Sequence, residues 1–238
     1  SRIREELAEV GTSGGLEIVV VDDGSDDDTA GAAERAGADR VLRQPENRGK
    51  GAAVRTGMLA AAGRTVAFTD ADLSYAPRQI LRLLEGVEAG WDVVAGSRQH
   101  VQTRTVVRAG RLRELGGRVI NVFTGIVLLG RYRDTQCGLK AMRSDVARVV
   151  FSHARIDGFA FDVEVFHLVE RHRLTLLEVP VEVVNTERST VHVVRDAVRL
   201  VRDLFRIRRW ARMGLYELDH DELPTGTNPR AGGAATQH

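Results

Sequence analysis

Three features of the chain predict an α/β fold, a mostly parallel sheet flanked by helices. Short β-branched apolar runs alternate with helical patterns of about 10–15 residues, the order expected of βαβ units. The apolar runs are short and nearly continuous, as in strands buried on both faces. Three of them end in polar clusters: Asp22-Asp23, Asp70 with Asp72, and Ser97-Arg98. In open parallel sheets ligands bind off the carboxyl ends of strands, so these clusters are expected to line one crevice.

The elements follow in order. Residues 1–10 read as a helix with Ile3, Leu7 and Val10 on one side, and 11–15 as a loop. Residues 16–21 form the first strand and run into Asp22-Asp23-Gly24-Ser25. A helix over 26–37, a short strand over 40–42 and an Ala-rich helix over 51–62 come next. The strand over 65–69 ends on Asp70. Pro77 opens a helix over 77–89, and the strand over 91–95 leads into Gly96-Ser97-Arg98. In the second half, 110–129 is mixed basic and apolar and reads as helix. A strand over 139–142, a helix over 159–172 and a strand over 174–184 carrying Pro180 follow. Residues 190–213 read as a long amphipathic helix, and the polar stretch 217–238 as a flexible tail. One domain over 1–216 is expected, with halves of about 1–98 and 99–216.

Composition narrows the function. The 238 residues are 43% hydrophobic and 28% charged, enough apolar content for a packed core. The net charge of +1 exerts no global pull on nucleic acid, so no nucleic-acid partner is expected. Lys50 and Lys140 are the only lysines; the other basic side chains are arginine. A lone Cys137 makes no internal disulfide and reads as a small packed residue. No apolar run reaches about 18 residues, so no membrane-spanning helix is expected. The seven histidines are scattered, without metal-ligand spacing.

Chemistry is concentrated in three segments. Phe68-Thr69-Asp70-Ala71-Asp72 delivers two carboxylates at spacing i, i+2. On an extended segment both point the same way. Paired carboxylates suit a hard divalent cation, which can bridge the phosphates of a nucleotide and neutralise a leaving diphosphate. The same spacing also occurs in ordinary turns and caps. In Asp22-Asp23-Gly24-Ser25-Asp26, a carboxylate after a strand can accept from base or ribose donors, while Ser25 or Asp26 can cap the next helix. Binding is assigned to Asp23 and Asp22, capping to the rest. Asn47-Arg48-Gly49-Lys50-Gly51 is Gly-rich, basic and leads into a helix N-terminus, an arrangement suited to phosphate, though a plain loop reads the same way. It lacks Walker A spacing.

Together VVVDDGSDDDT, ENRGKGAAVRTGMLAAAG, FTDADLSYAP, VVAGSR and DTQCGLKAMR resemble family 2 glycosyltransferases. More narrowly they are similar to the polyprenyl- and dolichyl-phosphate glucosyl- and mannosyltransferases. The resemblance runs from about Ser1 to Trp210, with Asp134-Thr135-Gln136-Cys137-Gly138 and Lys140 as the narrower marker; Phe161-Asp162-Val163-Glu164 and Val179-Pro180-Val181 agree with it. It implies a GT-A (Rossmann-like) fold with a nucleotide-sugar half and an acceptor half. It also implies a UDP-glucose or GDP-mannose donor, Mg²⁺ or Mn²⁺, and a polyprenyl phosphate acceptor. By the match Asp23 would contact the base, with Lys50 near the nucleotide. Asp70 and Asp72 would handle sugar and metal, and Arg98 would face the diphosphate. Asp134 and Gln136 would shape the acceptor side. The implied enzyme is inverting, cytoplasmic and peripheral on the inner face of the membrane.

A phosphate acceptor is largely a dianion at neutral pH, since its second pKa is near ~6, and needs no strong general base. If a base acts, Asp162 is the best choice, alongside Asp72 as a catalytic carboxylate; a structural or sugar-binding role for Asp162 is the alternative. A lipid phosphate also needs cationic docking. Arg108 and Arg111 share a helical face, with Arg113 nearby, and read either as acceptor-binding or as a solvated basic surface. In the last helix Val194, Val198, Val201 and Phe205 form one stripe, and Arg195, Arg199, Arg202, Arg206 and Arg209 another. That pattern suits a membrane surface, and also a helix packed on a domain.

In the family a central strand precedes the helix at residues 1–10, and its loop touches the nucleotide. A chain without it is expected to be poorly stable or weakly active, because its ladder hydrogen bonds have no substitute. Other readings are a family 2 enzyme with a soluble or glycan acceptor, a sugar nucleotidyltransferase, or an inactive fragment that binds nucleotide sugar or membrane.

Overall fold

The computed structural model describes residues 2–13, 15–98, 134–183 and 193–218. The expected helix over 110–129, with Arg108, Arg111 and Arg113, lies outside the described residues, as does the tail beyond residue 218.

The N-terminal helical pattern breaks at the buried Leu7 into α1 (Arg2–Glu6) and α2 (Ala8–Ser13). Strand β1 (Val19–Asp22) pairs in parallel with β2 (Arg40–Arg43), Val20 opposite Val41. Helix α3 (Thr29–Arg35) joins them. It starts later than the sequence pattern suggests. Asp27 takes the Thr29 amide at 3.1 Å and holds residues 26–28 out of the helix.

Helix α4 (Lys50–Ala60) precedes β3 (Thr65–Thr69). A 3₁₀ turn, Pro77–Gln79, opens α5 (Ile80–Glu88), which leads to β4 (Val93–Ser97). Strand β5 (Leu139–Arg143) continues into α6 (Ser144–His153), a helix absent from the sequence reading. Its signal was Val146 and Val150 at helical spacing behind Ser144-Asp145. Then come α7 (Phe161–Arg171), β6 (Leu176–Pro180) and α8 (Val193–Arg212).

The described strands form two sheets. One is β1-β2; the other has the order β3-β5-β4-β6. Within the second, β5 runs antiparallel to both neighbours, and β4 and β6 are parallel. Strands β3 and β4 therefore share a direction, and their carboxyl ends open on the same edge. Helix α4 packs against both β1 and β3 and spans the two sheets. At Gly57 it comes so close to β1 that a methyl there would lie 3.1 Å from the Val21 side chain.

Strand β4 is wholly buried, and the core lies on both of its faces. One side gathers Met142, Phe151, Phe161 and Phe166 with Leu204 and Ile207 of α8. The other gathers Leu83, Val94, Leu139 and Tyr75. Among the described residues no helix is long and apolar enough to cross a membrane.

Candidate active site

The three polar strand ends supply the site. After β1, Asp22 turns inward and is 1% exposed. Its Oδ1 accepts from the Ser25 amide at 2.9 Å, and Arg43 Nε lies 3.4 Å from Oδ2. The Ser25 hydrogen bonds, helped by Arg43, hold the carboxyl below its ordinary range. Asp22 thus shapes the turn. Gly24 follows with φ +70°, and a Cβ there would stand 2.5 Å from the Glu46 backbone, so only glycine fits.

Asp23 accepts from the Arg48 and Gly49 amides at 3.0 and 2.8 Å. The basic loop is therefore organised by the first strand end, with two of its amides taken by a carboxylate. Its glycines have a second cause. A Cβ at Gly49 would lie 2.7 Å from the Asp157 carbonyl oxygen, and one at Gly51 2.4 Å from that of Ile156 and 2.7 Å from Phe161 Cβ. The loop at 154–158 lies directly on the start of α4. The Ala52 amide donates to the Asp157 carbonyl at 3.2 Å, and Arg55 pairs with the Asp157 carboxylate at 2.5 Å. Gly51→Ala should therefore destabilise the protein by about 1–3 kcal/mol through overpacking, although alanine is intrinsically the better helix former. Thermal unfolding checks this; a variant as stable as the parent would show that the loop yields freely.

Lys50 opens α4 and extends to Asp70, Nζ to Oδ1 2.7 Å. This contact joins the basic loop to the carboxylate pair after β3. The pair does not sit on extended chain, as the alternation argument assumed. The ladder stops at Thr69, and Asp70 to Leu73 form a turn closed by the Leu73 amide on the Asp70 carbonyl at 3.1 Å. Leu73 has φ +50°, unusual for a leucine. The Ser74 amide donates to Asp72 Oδ1 at 2.9 Å. Turn geometry, not strand alternation, orients both carboxylates. Gly138 backs Asp70 so closely that a Cβ there would fall 2.1 Å from Oδ2.

After β4, Arg98 forms a fork with Asp134, Nε to Oδ2 2.6 Å and Nη2 to Oδ1 2.8 Å, while its amide also donates to Oδ2 at 3.0 Å. Burial works to raise the Asp134 carboxyl, but the Arg98 fork outweighs it and holds the group below its ordinary range. The same fork holds the guanidinium protonated. The sequence placed these residues on the donor and acceptor sides respectively; the structure joins them as one pair. Gln136, half-buried, stands two residues beyond Asp134. Tyr75 and Cys137 are buried beside the pair. Burial pushes up both the Tyr75 hydroxyl and the Cys137 thiol, which makes Cys137 a poor nucleophile.

Sequence reasoning missed the structural partner of Asp162. Lys140, 0% exposed, donates to Asp162 Oδ1 at 2.6 Å and to the Thr135 and Cys137 carbonyls at 3.1 and 2.7 Å. Its ammonium lies over the Phe68 and Phe166 rings, 5.5 and 5.4 Å from their centroids. Burial pushes the Asp162 carboxyl up, and Lys140 opposes the shift. Asp162 is thus placed inside an ion pair that pins the turn at 135–138, rather than open to solvent. The isolated Lys140 in a chain rich in arginine was the available signal. Two residues on, Glu164 is also buried. It accepts from the Arg155 and Ile156 amides at 2.9 and 2.8 Å and from the Tyr216 hydroxyl at 2.5 Å.

No cluster of three or more metal-ligating side chains exists among the described residues. Two carboxylates in one turn, Asp70 and Asp72, fit a cation held jointly by protein and phosphate oxygens. That is how Mg²⁺, and by analogy Mn²⁺, is bound with nucleotides.

The sequence profile of Glycosyl transferase family 2 matches residues 2–151. The chain is 34% identical over 208 residues to a dolichyl-phosphate beta-glucosyltransferase of Drosophila melanogaster, covering 82% of this chain and 63% of the relative. The human enzyme of that name is 28% identical over 215 residues, covering 85% and 66%. The chain thus spans roughly two thirds of their length (63% and 66%). Glucosyl-3-phosphoglycerate synthase from Mycobacterium tuberculosis, solved with Mn²⁺, UDP-glucose and phosphoglyceric acid, superposes with a TM-score of 0.63 at 20% identity, over 87% of this chain and 74% of that one. Mannosyl-3-phosphoglycerate synthase from Rubrobacter xylanophilus gives 0.54 at 22% identity, over 93% and 73%. These two likenesses establish a shared fold.

Proposed function

Because the chain belongs to glycosyl transferase family 2, we propose that it moves glucose from UDP-glucose to a polyprenyl-type lipid phosphate, inverting the anomeric carbon. The observation that carries this is the meeting of Lys50 and Asp70, 2.7 Å apart, at the carboxyl end of β3, with Asp72 in the same turn. Likeness to the dolichyl-phosphate beta-glucosyltransferases supports the donor sugar and the acceptor.

Asp70 and Asp72 would hold a divalent cation, Mg²⁺ or Mn²⁺, which supplies charge neutralisation for the leaving diphosphate. Lys50 adds a fixed positive charge at the same place. Asp23, through the Arg48 and Gly49 amides, keeps that loop in position. Along the same sheet edge, after β4, Asp134 holds Arg98 charged with 43% of its side chain exposed, where it can attract an anionic reactant. A phosphate oxygen needs no proton removed, so the chain's task is to place it behind the anomeric carbon. Attack from that side gives inversion. The ion-paired, buried Asp162 agrees with a reaction that uses no carboxylate base.

The test incubates the protein with labelled UDP-glucose, Mn²⁺ and polyprenyl phosphate, followed by extraction into organic solvent. Metal-dependent label in the organic phase is expected, and GDP-mannose should serve poorly. No label from either donor would sink the reading; label from GDP-mannose alone would reassign the sugar.

A further inference from the structure

Helix α8 divides its apolar residues between two faces. Leu200, Leu204 and Ile207 pack into the core at 5%, 2% and 0% exposure. Val198 and Phe205 are each 66% exposed and Met213, just past the helix, 59%. Spacings of seven and eight residues put these three on one stripe, about 22 Å long at 1.5 Å per residue. The sequence stripe through Val198 and Phe205 is therefore the outward face and not the core face. The exposed Arg202, Arg209 and Arg212 fall on the same stripe. The helix carries seven arginines against two aspartates. Of these, Asp203 turns inward, 7% exposed, and pairs with Arg202 and Arg206 at 3.4 and 3.2 Å.

From this face we infer that α8 docks on an anionic lipid surface. Phe205, Val198 and Met213 enter the interfacial layer, and the arginines around them meet headgroup phosphates. Apolar side chains ringed by cations match that partner on both counts. A second copy of the chain packed face to face would set arginine against arginine. A polyanion without an apolar layer would leave three large apolar side chains in water. The inference goes beyond the proposed reaction and stands on α8 alone.

Co-sedimentation of the protein with phosphatidylcholine vesicles, with and without about a third phosphatidylglycerol, tests it. Binding is expected to the anionic vesicles and to weaken with salt. Phe205→Ser should lower affinity about tenfold, and Arg209→Gln about fivefold. Both sites are exposed, so melting temperatures should not move. Equal binding to neutral vesicles, or undiminished binding by both variants, overturns the inference. So does self-association without lipid that Phe205→Ser abolishes. Transfer to a water-soluble short-chain isoprenyl phosphate should be unaffected by Phe205→Ser. If the parent fails to transfer at all, the proposed reaction falls and the vesicle result still decides the docking.

Discussion

Asp70→Asn is expected to cut glucosyl transfer by roughly a hundredfold or more, the scale of losing a fixed electrostatic partner of the reacting groups. Shape is kept, so the cost is one of charge. Asparagine would leave the Lys50 ammonium without its counter-ion and the cation with a single carboxylate. The fold should hardly notice. The Lys50 and Asp70 side chains are 27% and 30% exposed, and a solvent-reached pair contributes at most about 1 kcal/mol. Asp72→Ala should behave alike, because Asp72 is exposed and its described contact is the Ser74 amide in its own turn. Steady-state kinetics across a Mn²⁺ titration, with thermal melts alongside, separate the two effects. Full activity in both variants would remove the carboxylates from the site.

Lys140→Met produces the largest expected loss of stability. It leaves Asp162 buried without its cation, and removing one partner of a buried pair costs about 3–5 kcal/mol. For a chain of this size that lowers the melting temperature by roughly 6–20 °C. The loss has a pH signature. Burial already holds the Asp162 carboxyl above its ordinary range, and without Lys140 it rises further. A carboxyl whose folded pKa lies above the unfolded one is stabilising when protonated, and that stability is lost as pH rises through the folded value. The deficit should therefore be smallest in acid and widen toward neutral pH. Adding Asp162→Asn to Lys140→Met removes the orphan charge and should restore much of the loss. Equal melting of parent and single variant across pH would show that the pair contributes nothing. Activity should fall with Lys140→Met as well, since its Nζ pins the turn whose Gly138 backs Asp70.

Much of this was legible from residue pattern. The alternation of apolar runs and helical spacings located β1 to β6, because a buried strand must be apolar whatever its neighbours. Strand ends were legible for the same reason: Asp70 and Arg98 interrupt runs that are otherwise closed to charge. Pairing was not legible. Nothing in Leu139 to Arg143 shows that β5 runs against β3 and β4, since direction is set by the connection and not by the strand. The partners of charged residues were hidden too. Arg98 with Asp134, and Lys140 with Asp162, lie 36 and 22 residues apart and meet only through packing. The glycines at 49 and 51 read as a cradle for phosphate, but their tight fit against Ile156 and Asp157 depends on a loop a hundred residues later. On α8 the period was legible, but which face turns inward was left open between a membrane surface and the domain. Leu200, Leu204 and Ile207 define as good a stripe as Val198 and Phe205, and only the core chooses between them.

The Tyr216 hydroxyl on Glu164 spans 52 residues of sequence, and Glu164 in turn holds the amides of Arg155 and Ile156. A chain leaves the ribosome from its N-terminus at about 5–20 residues per second. Asp23, Lys50 and Asp70 are made early, and so are Arg55 and Glu164, which hold the loop covering Gly49 and Gly51; the Tyr216 hydroxyl joins that clasp last. For several seconds of synthesis the nascent protein holds its charged residues with the last bond of that buckle unmade. A ribosome stalled before Tyr216 would display a protein with every predicted anchor present and Glu164 one hydrogen bond short, its loop at 154–158 held less firmly against protease.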